Sequence, residues 1–206
     1  MKQVLLMIAV VALVGCGKKT TPAEPQTNAE PKVAVKKQEP AKAFANTLGM
    51  VFKPVPGTDV QFCIWETRVK DYAAYAAANA GVDGKWKSPG FAQADTHPVV
   101  NVNWNDANAF CAWLTKKEQA AGKITASQRY GLPTDAEWSV AVGLGQEKGN
   151  TPREKSLGIK DVYPWGKEWP PPNGAGNYGD GLRVDNFDNA SPITSPVGSF
   201  APNKLG

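Results

Sequence analysis

The sequence predicts an irregular α+β domain with little regular secondary structure, carried behind a long N-terminal extension. Short stretches of apolar residues near positions 50–66 are typical of strands, and two later segments repeat apolar residues at helical spacing. From 145 to 195, Gly, Pro, Asn and Asp dominate, which is typical of loops. Residues 46–206 are long enough to form a single hydrophobic core.

Residues 1–15 have the features of a bacterial signal peptide. Lys2 precedes an unbroken apolar run, residues 4–14, which is shorter than the roughly 20 residues of a transmembrane helix. The run closes as Leu13-Val14-Gly15-Cys16, which resembles a lipobox, where the cysteine thiol is lipidated before cleavage. An ordinary secretory signal with an unrelated cysteine is the alternative. We favour lipidation of Cys16 because this cysteine lies where the apolar run ends.

Gly17, rather than Asp, follows the predicted lipidated cysteine, so nothing in the sequence favours retention in an inner membrane. We therefore expect a protein of the bacterial cell envelope, lipid-anchored to the outer membrane or facing the periplasm, with the cell surface also open. The lipid would make the membrane a partner of the N-terminus while the remainder stays in water.

Residues 16–45 comprise this cysteine and a disordered tether rich in Lys, Pro and Ala. It has no aromatic residue before Phe44, so it has too little apolar surface to fold. The tether holds six lysines and three glutamates, whereas residues 46–206 hold 16 basic and 16 acidic side chains. The net charge of +4 thus comes from the extension. A neutral domain gives no support to nucleic-acid binding.

The domain begins with a predicted hairpin and helix. We expect strands at residues 50–55 and 61–66, joined by a turn at 56–59. Thr67 is the expected N-cap of the following helix, which Gly81 ends. Its apolar positions are Val69, Tyr72, Ala73 and Ala76.

A second predicted helix follows a short β run at residues 99–102. Asn103 is its expected N-cap, Asp106 places a negative charge in its first turn, and Gly122 is its expected stop. A third helix begins with a capping box between Thr134 and Glu137. The apolar faces of these two helices, which we expect to form a core, are Ala107, Phe110, Cys111, Leu114, Trp138, Ala141 and Val142.

Four ordered elements of the chain resemble the formylglycine-generating enzyme family, also called sulfatase-modifying factors. They are residues 104–114 (WNDANAFCAWL), 132–138 (LPTDAEW), 163–166 (YPWG) and 196–203 (PVGSFAPN). The resemblance extends over residues 46–206 and implies a C-type-lectin-like architecture. It also implies that the family's C-terminal part, which completes the central sheet, would follow Gly206, so the domain is expected to be truncated.

The resemblance implies structural calcium in the loop region. Asn177 and the carbonyl of Tyr178 match half of one family site, and Asn189 with the carbonyl of Ser191 match the other half. The family usually has Asp at the position of Asn189, and Asp188 beside it offers a replacement carboxylate. Oxygen ligands suit calcium. The alternative is a solvated loop in which Asn and Asp form turns.

The cysteines indicate whether the family's catalytic chemistry is expected in this chain. Cys63 and Cys111 are expected to be buried thiols, with a disulfide between them as the alternative outside the cytoplasm. The family's enzymes hold copper with two cysteines in their C-terminal part, and neither Cys63 nor Cys111 matches those positions. Copper is therefore expected only with a catalytic part beyond Gly206. The single histidine, His97, has no partner that would make a metal site or an acid–base pair.

Three functions remain compatible with these observations. The first, which we favour, is a non-catalytic lipoprotein domain that binds or scaffolds a protein, peptide or glycan. The second is a fragment of an oxidase that activates sulfatases by converting a cysteine to formylglycine. The third is a docking module of a larger envelope complex.

Overall fold

The computed structural model describes residues 42–172, 174–177 and 193–206, together with the backbone of 11–14. In this part of the chain, five strands form one sheet of order β2-β3-β4-β1-β5 in which all neighbours are antiparallel. The strands are β1 Val11–Val14, β2 Phe44–Ala45, β3 Val51–Pro54, β4 Val60–Cys63 and β5 Gln128–Gly131. The helices are α1 Val69–Ala78, α2 Trp104–Ala120, α3 Asp135–Ala141 and α4 Pro152–Gly158, with a 3₁₀ turn at Gly84–Lys87. The α+β class is confirmed.

The predicted hairpin is present, although its second strand is shorter than expected. Phe52 lies opposite Cys63, and Gly57, at φ 77°, allows the connecting turn. Strand β4 ends at Cys63 instead of continuing to residue 66, because the chain bends after Ile64 and carries Trp65 away from the ladder.

Apart from β1, the sheet includes two residues that precede the expected domain boundary at 46. Phe44 and Ala45 form β2, and the ring of Phe44 stacks on that of Phe52 with centroids 5.2 Å apart. Phe44, the aromatic residue at the end of the predicted tether, therefore belongs to the sheet.

Strand β1 lies inside the sheet, between β4 and β5. Val11 pairs with Phe62 on one side and with Gly131 on the other. This segment belongs to residues 1–15, for which the sequence predicts a signal peptide, and that prediction remains untested. No helix among the described residues is long and apolar enough to cross a membrane.

Helix α1 is capped by Arg68, not by Thr67 as expected. The Asp71 carboxylate accepts from the Arg68 backbone N–H at 3.0 Å and from Arg68 Nε at 2.8 Å. Both side chains are buried, so the ion pair fixes the start of the helix from inside the protein. Thr67 instead supplies a carbonyl that accepts from the N–H of Val99.

Helix α2 agrees with its prediction. Asn103 and Asp106 cap it reciprocally, and Gly122, at φ 65°, follows its end. Its predicted apolar face is buried in the core. The β run at 99–102 is not a strand, however, since backbone pairing is limited to an isolated bridge between Arg68 and Pro98 and Asn101 has φ 58°.

Helix α3 has the predicted capping box, whereas α4 falls in a region expected to be irregular. Thr151 Oγ1 accepts from the N–H of Glu154, and Pro152 occupies the first helical position. Proline at this position and a capping box are both helix-start signals. The sequence prediction missed these helix-start signals because Gly and Asn are frequent around this short helix.

Candidate functional site

The two faces of β4 lead to different environments. Cys63 packs against the core that α1 and α2 cover. Phe62 lies on the other face, beside Trp138 of α3, with ring centroids 6.4 Å apart. A cleft of about 530 Å³ opens here. The side chains that give it its apolar character are Phe62, Trp65, Trp138, Val142, Phe200 and Leu205.

Three parts of the chain build this cleft: the β3–β4 hairpin, helix α3 and residues 196–206. The last of these is held by long-range hydrogen bonds. The N–H of Val197 donates to the Thr96 carbonyl at 2.9 Å, and Asn203 Nδ2 donates to the Ala141 carbonyl at 3.2 Å. Lys53 Nζ donates to the Gly206 carbonyl at 3.1 Å, which attaches this segment to β3.

Trp65 forms a fixed wall of the cleft. Gly198 lies against its indole so closely that a Cβ at this position would be 3.2 Å from Trp65 Nε1. The guanidinium of Arg68 lies 5.7 Å from the Trp65 ring centroid, where a cation is attracted to the aromatic face. Contacts on two sides therefore hold the indole in place.

The charged residues at this cleft are few, and the nearby thiol of Cys63 is protonated at neutral pH. Lys53 and Glu66 are the charged residues that line the cleft. Burial raises the pKa of Cys63 to about 11 and that of Cys111 to about 12. A protonated thiol is a poor nucleophile and a poor metal ligand.

Both cysteines are free thiols in the structure, Cys111 buried and Cys63 partly buried. Among the residues that the structure describes, no group of three or more His, Cys, Asp or Glu side chains is arranged to hold a metal ion. Together with the raised pKa values of Cys63 and Cys111, the donor set does not fit a thiolate copper centre. No catalytic step through copper is therefore assigned to these residues.

His97 has a structural environment. It is buried, and its Nδ1 lies 2.9 Å from Thr194 Oγ1, which also accepts from Gln93 Nε2 at 3.2 Å. Burial lowers the pKa of His97 below its ordinary value. The contact connects the start of the segment at 193–206 to the loop before α2, outside the cleft.

The predicted calcium site and the lipidation site lie mostly outside the described residues. Asn177 is described and exposed. The other calcium candidates and the lipidation candidate are outside the described part of the chain; they are Tyr178, Asp188, Asn189, Ser191 and Cys16.

The tryptophan residues of the family-like elements are less buried than a core position requires. Trp104, in the first of these elements, is 64 % exposed, and Trp169, three residues after the YPWG element, is 60 % exposed. Tyr163 and Trp165 stack with centroids 5.2 Å apart, and Trp169 lies 5.4 Å from Tyr163. These three rings form an aromatic ledge at the surface.

Sequence reasoning identified some of the cleft and missed the rest. Trp138 and Val142 belong to the predicted apolar face of α3, and Phe62 belongs to a predicted strand. Phe200 and Leu205 were not expected at this site. Their place depends on contacts with residues 62 to 141, about 60 or more positions earlier in the chain, and no local pattern encodes such contacts.

Comparison with known proteins gives a consistent result. The model of the sulfatase-modifying factor enzyme 1-like domain matches residues 14–206. A formylglycine-generating enzyme of Thermomonospora curvata is 30% identical over 136 residues, which are 59% of this chain and 34% of that protein. An inactive C-alpha-formylglycine-generating enzyme 2 of Bos taurus is 31% identical over 122 residues, 57% of this chain and 32% of that protein.

The match thus spans about a third of the length of these two curated relatives. No solved structure matches the chain.

Proposed function

The chain belongs to the sulfatase-modifying factor family, and from this premise we propose that it is a lipid-anchored protein of the bacterial envelope whose domain binds a partner without catalysis. The observation that carries the proposal is the cleft itself, an apolar binding surface whose charged lining residues are Lys53 and Glu66. The neighbouring thiol of Cys63, on the core side of β4, is kept protonated by burial. A C-type-lectin-like architecture is part of the proposal.

The cleft favours a peptide segment of a protein as its ligand. Its volume of about 530 Å³ lies within the range of ligand pockets. Aromatic walls such as Phe62 and Trp138 bind apolar side chains, and Lys53 and Glu66 can pair with the charges of a flanking backbone or side chain. A glycan needs many polar partners, which the apolar lining does not offer. The aromatic ledge suits a glycan better.

Membrane attachment through Cys16 places this binding domain at the envelope, and the lipid is its membrane partner. We also propose structural calcium at Asn177 and the loop that follows it. Neither the neutral domain nor the cleft favours a nucleic-acid partner. Docking within a larger envelope complex is one form of the same partner binding.

Photo-crosslinking in the cells that produce the protein tests the binding function. A benzophenone amino acid replaces Ala141, which lines the cleft, or Ala112, which is exposed on α2, as the matched control. We expect a discrete adduct from position 141 that is absent from position 112. Equal adducts at both positions, or none at position 141, would overturn the assignment of the cleft as a binding site.

A catalytic role is the second candidate, and the similarity to the Thermomonospora curvata enzyme favours it. Its test is the incubation of the membrane-purified protein with copper and a cysteine peptide derived from a sulfatase. We expect no conversion of the peptide cysteine to formylglycine, as read by mass spectrometry. Copper-dependent conversion would establish the oxidase and reject the non-catalytic assignment.

A further inference from the structure

His97 connects the loop before α2 to residues 193–206, the segment that forms one wall of the cleft. Its Nδ1 lies 2.9 Å from Thr194 Oγ1, and both side chains are buried. Three residues further along, the N–H of Val197 donates to the Thr96 carbonyl at 2.9 Å. Hydrogen bonds near the end of the segment attach it to β3 and α3 instead. The loop that contains His97 therefore holds the start of the segment.

The hydrogen bonds at this junction determine the protonation state of His97. Gln93 Nε2 donates to the Pro98 carbonyl at 2.9 Å, and a carbonyl only accepts, so the orientation of the Gln93 amide is assigned. The same Nε2 lies 3.2 Å from Thr194 Oγ1 and donates to it. Among the described residues, Thr194 Oγ1 contacts this nitrogen and His97 Nδ1, so its own proton is left for Nδ1. Nδ1 accepts that proton only in a neutral ring whose N–H is at Nε2.

The charges around His97 do not compensate for its protonation. Two elements contact its loop: residues 193–197, and the start of α1, where the Val69 N–H donates to the His97 carbonyl at 2.9 Å. The charged residues of these elements and of the loop are Arg68, Lys70, Asp71 and Asp95. Two of them form the buried ion pair of α1, and the other two are exposed. In the described part of the chain, no carboxylate therefore pairs with the imidazole.

The junction is also easy to open. Gln93 Oε1 and Ser195 Oγ are buried there and have no hydrogen-bond partner among the residues that the structure describes. Such groups favour exposure, because water satisfies their hydrogen bonds. Residues 193–206 contain no helix or strand, so their release would leave the sheet paired.

We propose that His97 is an acid-sensitive latch, in which protonation of the imidazole releases Thr194 and loosens the segment that forms this wall of the cleft. A protonated ring has no lone pair on Nδ1 and would be a buried charge without a partner, so both hydrogen bonding and burial oppose it while the segment is docked. The latch rests on the proposed function, because it regulates the proposed binding cleft in an envelope protein that meets the pH of the medium.

The direction of the pH effect follows from the pKa of His97. Burial lowers this pKa below its ordinary value of 6.5 in the docked state, whereas a solvated ring in the released state keeps the ordinary value. Above pH 6.5 both states are neutral, and pH does not change their balance. Below it the released state binds a proton first, so each further pH unit favours release by up to about tenfold until the docked state is also protonated.

NMR spectroscopy of the full-length chain tests the latch without a ligand. His97 is the single histidine of the sequence, so the imidazole nitrogen signals belong to it. We expect a neutral ring with its proton on Nε2, titrating below pH 6.5. Hydrogen exchange at the Val197 N–H, relative to the intrinsic rate at each pH, should rise about fivefold or more from pH 7 to pH 5. At the N–H of Leu114, inside α2, it should change less than about twofold.

Three variants separate the latch from general acid effects. His97→Asn keeps an amide oxygen near the position of Nδ1 but does not titrate, so Val197 exchange should be native-like at pH 7 and lose most of its pH dependence. Asp95→Asn, an exposed carboxylate of the same loop, is the matched control and should keep the native acid response. Thr194→Val removes the hydroxyl and should raise Val197 exchange about fivefold at pH 7.

The latch is overturned by an acid response that persists in His97→Asn or that extends equally to Leu114. Native-like exchange in Thr194→Val would overturn it too. If His97→Asn does not fold, the native titration decides: a ring that titrates at or above pH 6.5, or a Val197 N–H that does not respond to pH, rejects the latch.

Failure of the latch is distinguishable from failure of the binding function, because none of these measurements uses a ligand. Binding is tested by the photo-crosslink at Ala141. Where that adduct forms, its yield should fall about threefold or more at pH 5 in the native chain and stay unchanged in His97→Asn. An equal fall in both chains would show that the latch does not regulate the cleft.

Discussion

The two faces of the sheet are covered to different degrees. On the face toward α1 and α2, Phe52, Phe110 and Leu114 are 0 % exposed, and Tyr72 packs on Phe110 with ring centroids 5.9 Å apart. On the face toward α3, Phe62 and Trp138 are partly exposed and border the cleft. Packed aromatic rings cover the first face, which we call the closed face, whereas the second, the open face, borders the cleft.

The difference in burial between the two faces separates side chains that stabilise the fold from side chains that can contact a partner. A close-packed face loses dispersion contacts and creates a cavity when a side chain is removed. A partly exposed face has already given up much of that burial, so its side chains contribute less to folding and remain available to a partner. Substitutions on the two faces should therefore affect different measurements.

The largest effect is expected for Phe110→Ala. This ring is fully buried and contacts Tyr72, Tyr75 and Trp113, so its removal should lower the free energy of unfolding by about 3–5 kcal/mol. Phe62→Ala in the cleft is the comparison and should cost about 1–2 kcal/mol. Urea denaturation measures both, and equal losses would show that the two faces are not different.

The buried ion pair beneath the closed face should give the next largest effect. Asp71→Ala leaves the Arg68 guanidinium buried without its carboxylate and removes the cap of α1, at a cost of about 3 kcal/mol. Asp59→Ala, an exposed carboxylate of the hairpin turn, is the control and should change stability by less than about 0.5 kcal/mol. A loss at position 71 no larger than that of the control would refute a structural role for the pair.

The closed face should also weaken at alkaline pH. Burial raises the pKa of Cys111 from 9.0 to about 12, so the folded protein keeps a proton that the unfolded chain releases as pH rises above 9. The free energy of unfolding should therefore fall by about 1 kcal/mol between pH 8 and pH 10 through Cys111, and by a similar amount through Cys63, whose pKa burial raises from 9.0 to about 11. Cys111→Val should remove about half of this dependence in urea titrations, and an unchanged slope in that variant would assign the loss to other groups.

The smallest effect is expected at the helix that borders the open face. Thr134 Oγ1 accepts from the N–H of Glu137, and Thr134→Ala should cost about 1 kcal/mol while loosening α3 beside the cleft. Thr134→Ser keeps the cap and should restore most of the loss. If thermal denaturation shows the same stability for Thr134→Ala and Thr134→Ser, the cap does not support this face.

Features that depend on a few adjacent residues could be predicted from the sequence alone. The caps at Asn103 and Thr134, the stop at Gly122 and the buried face of α2 all follow from hydrogen bonds and spacings within one or two helical turns. The same local signals were present for α4 at Thr151 and Pro152, where the surrounding loop composition outweighed them. The family, too, followed from short ordered motifs.

Features that depend on distant residues became visible only in the folded domain. Arg68 caps α1 in place of Thr67 because its charge meets Asp71 inside the protein. Residues 99–102 do not form a strand because, within the described part of the chain, no neighbouring strand pairs with them. The cleft exists because Phe200 and Leu205 are brought to Phe62 by bonds between remote segments. Such contacts are fixed by the packing of the whole domain, since a local pattern carries no information about which remote segment will lie beside it.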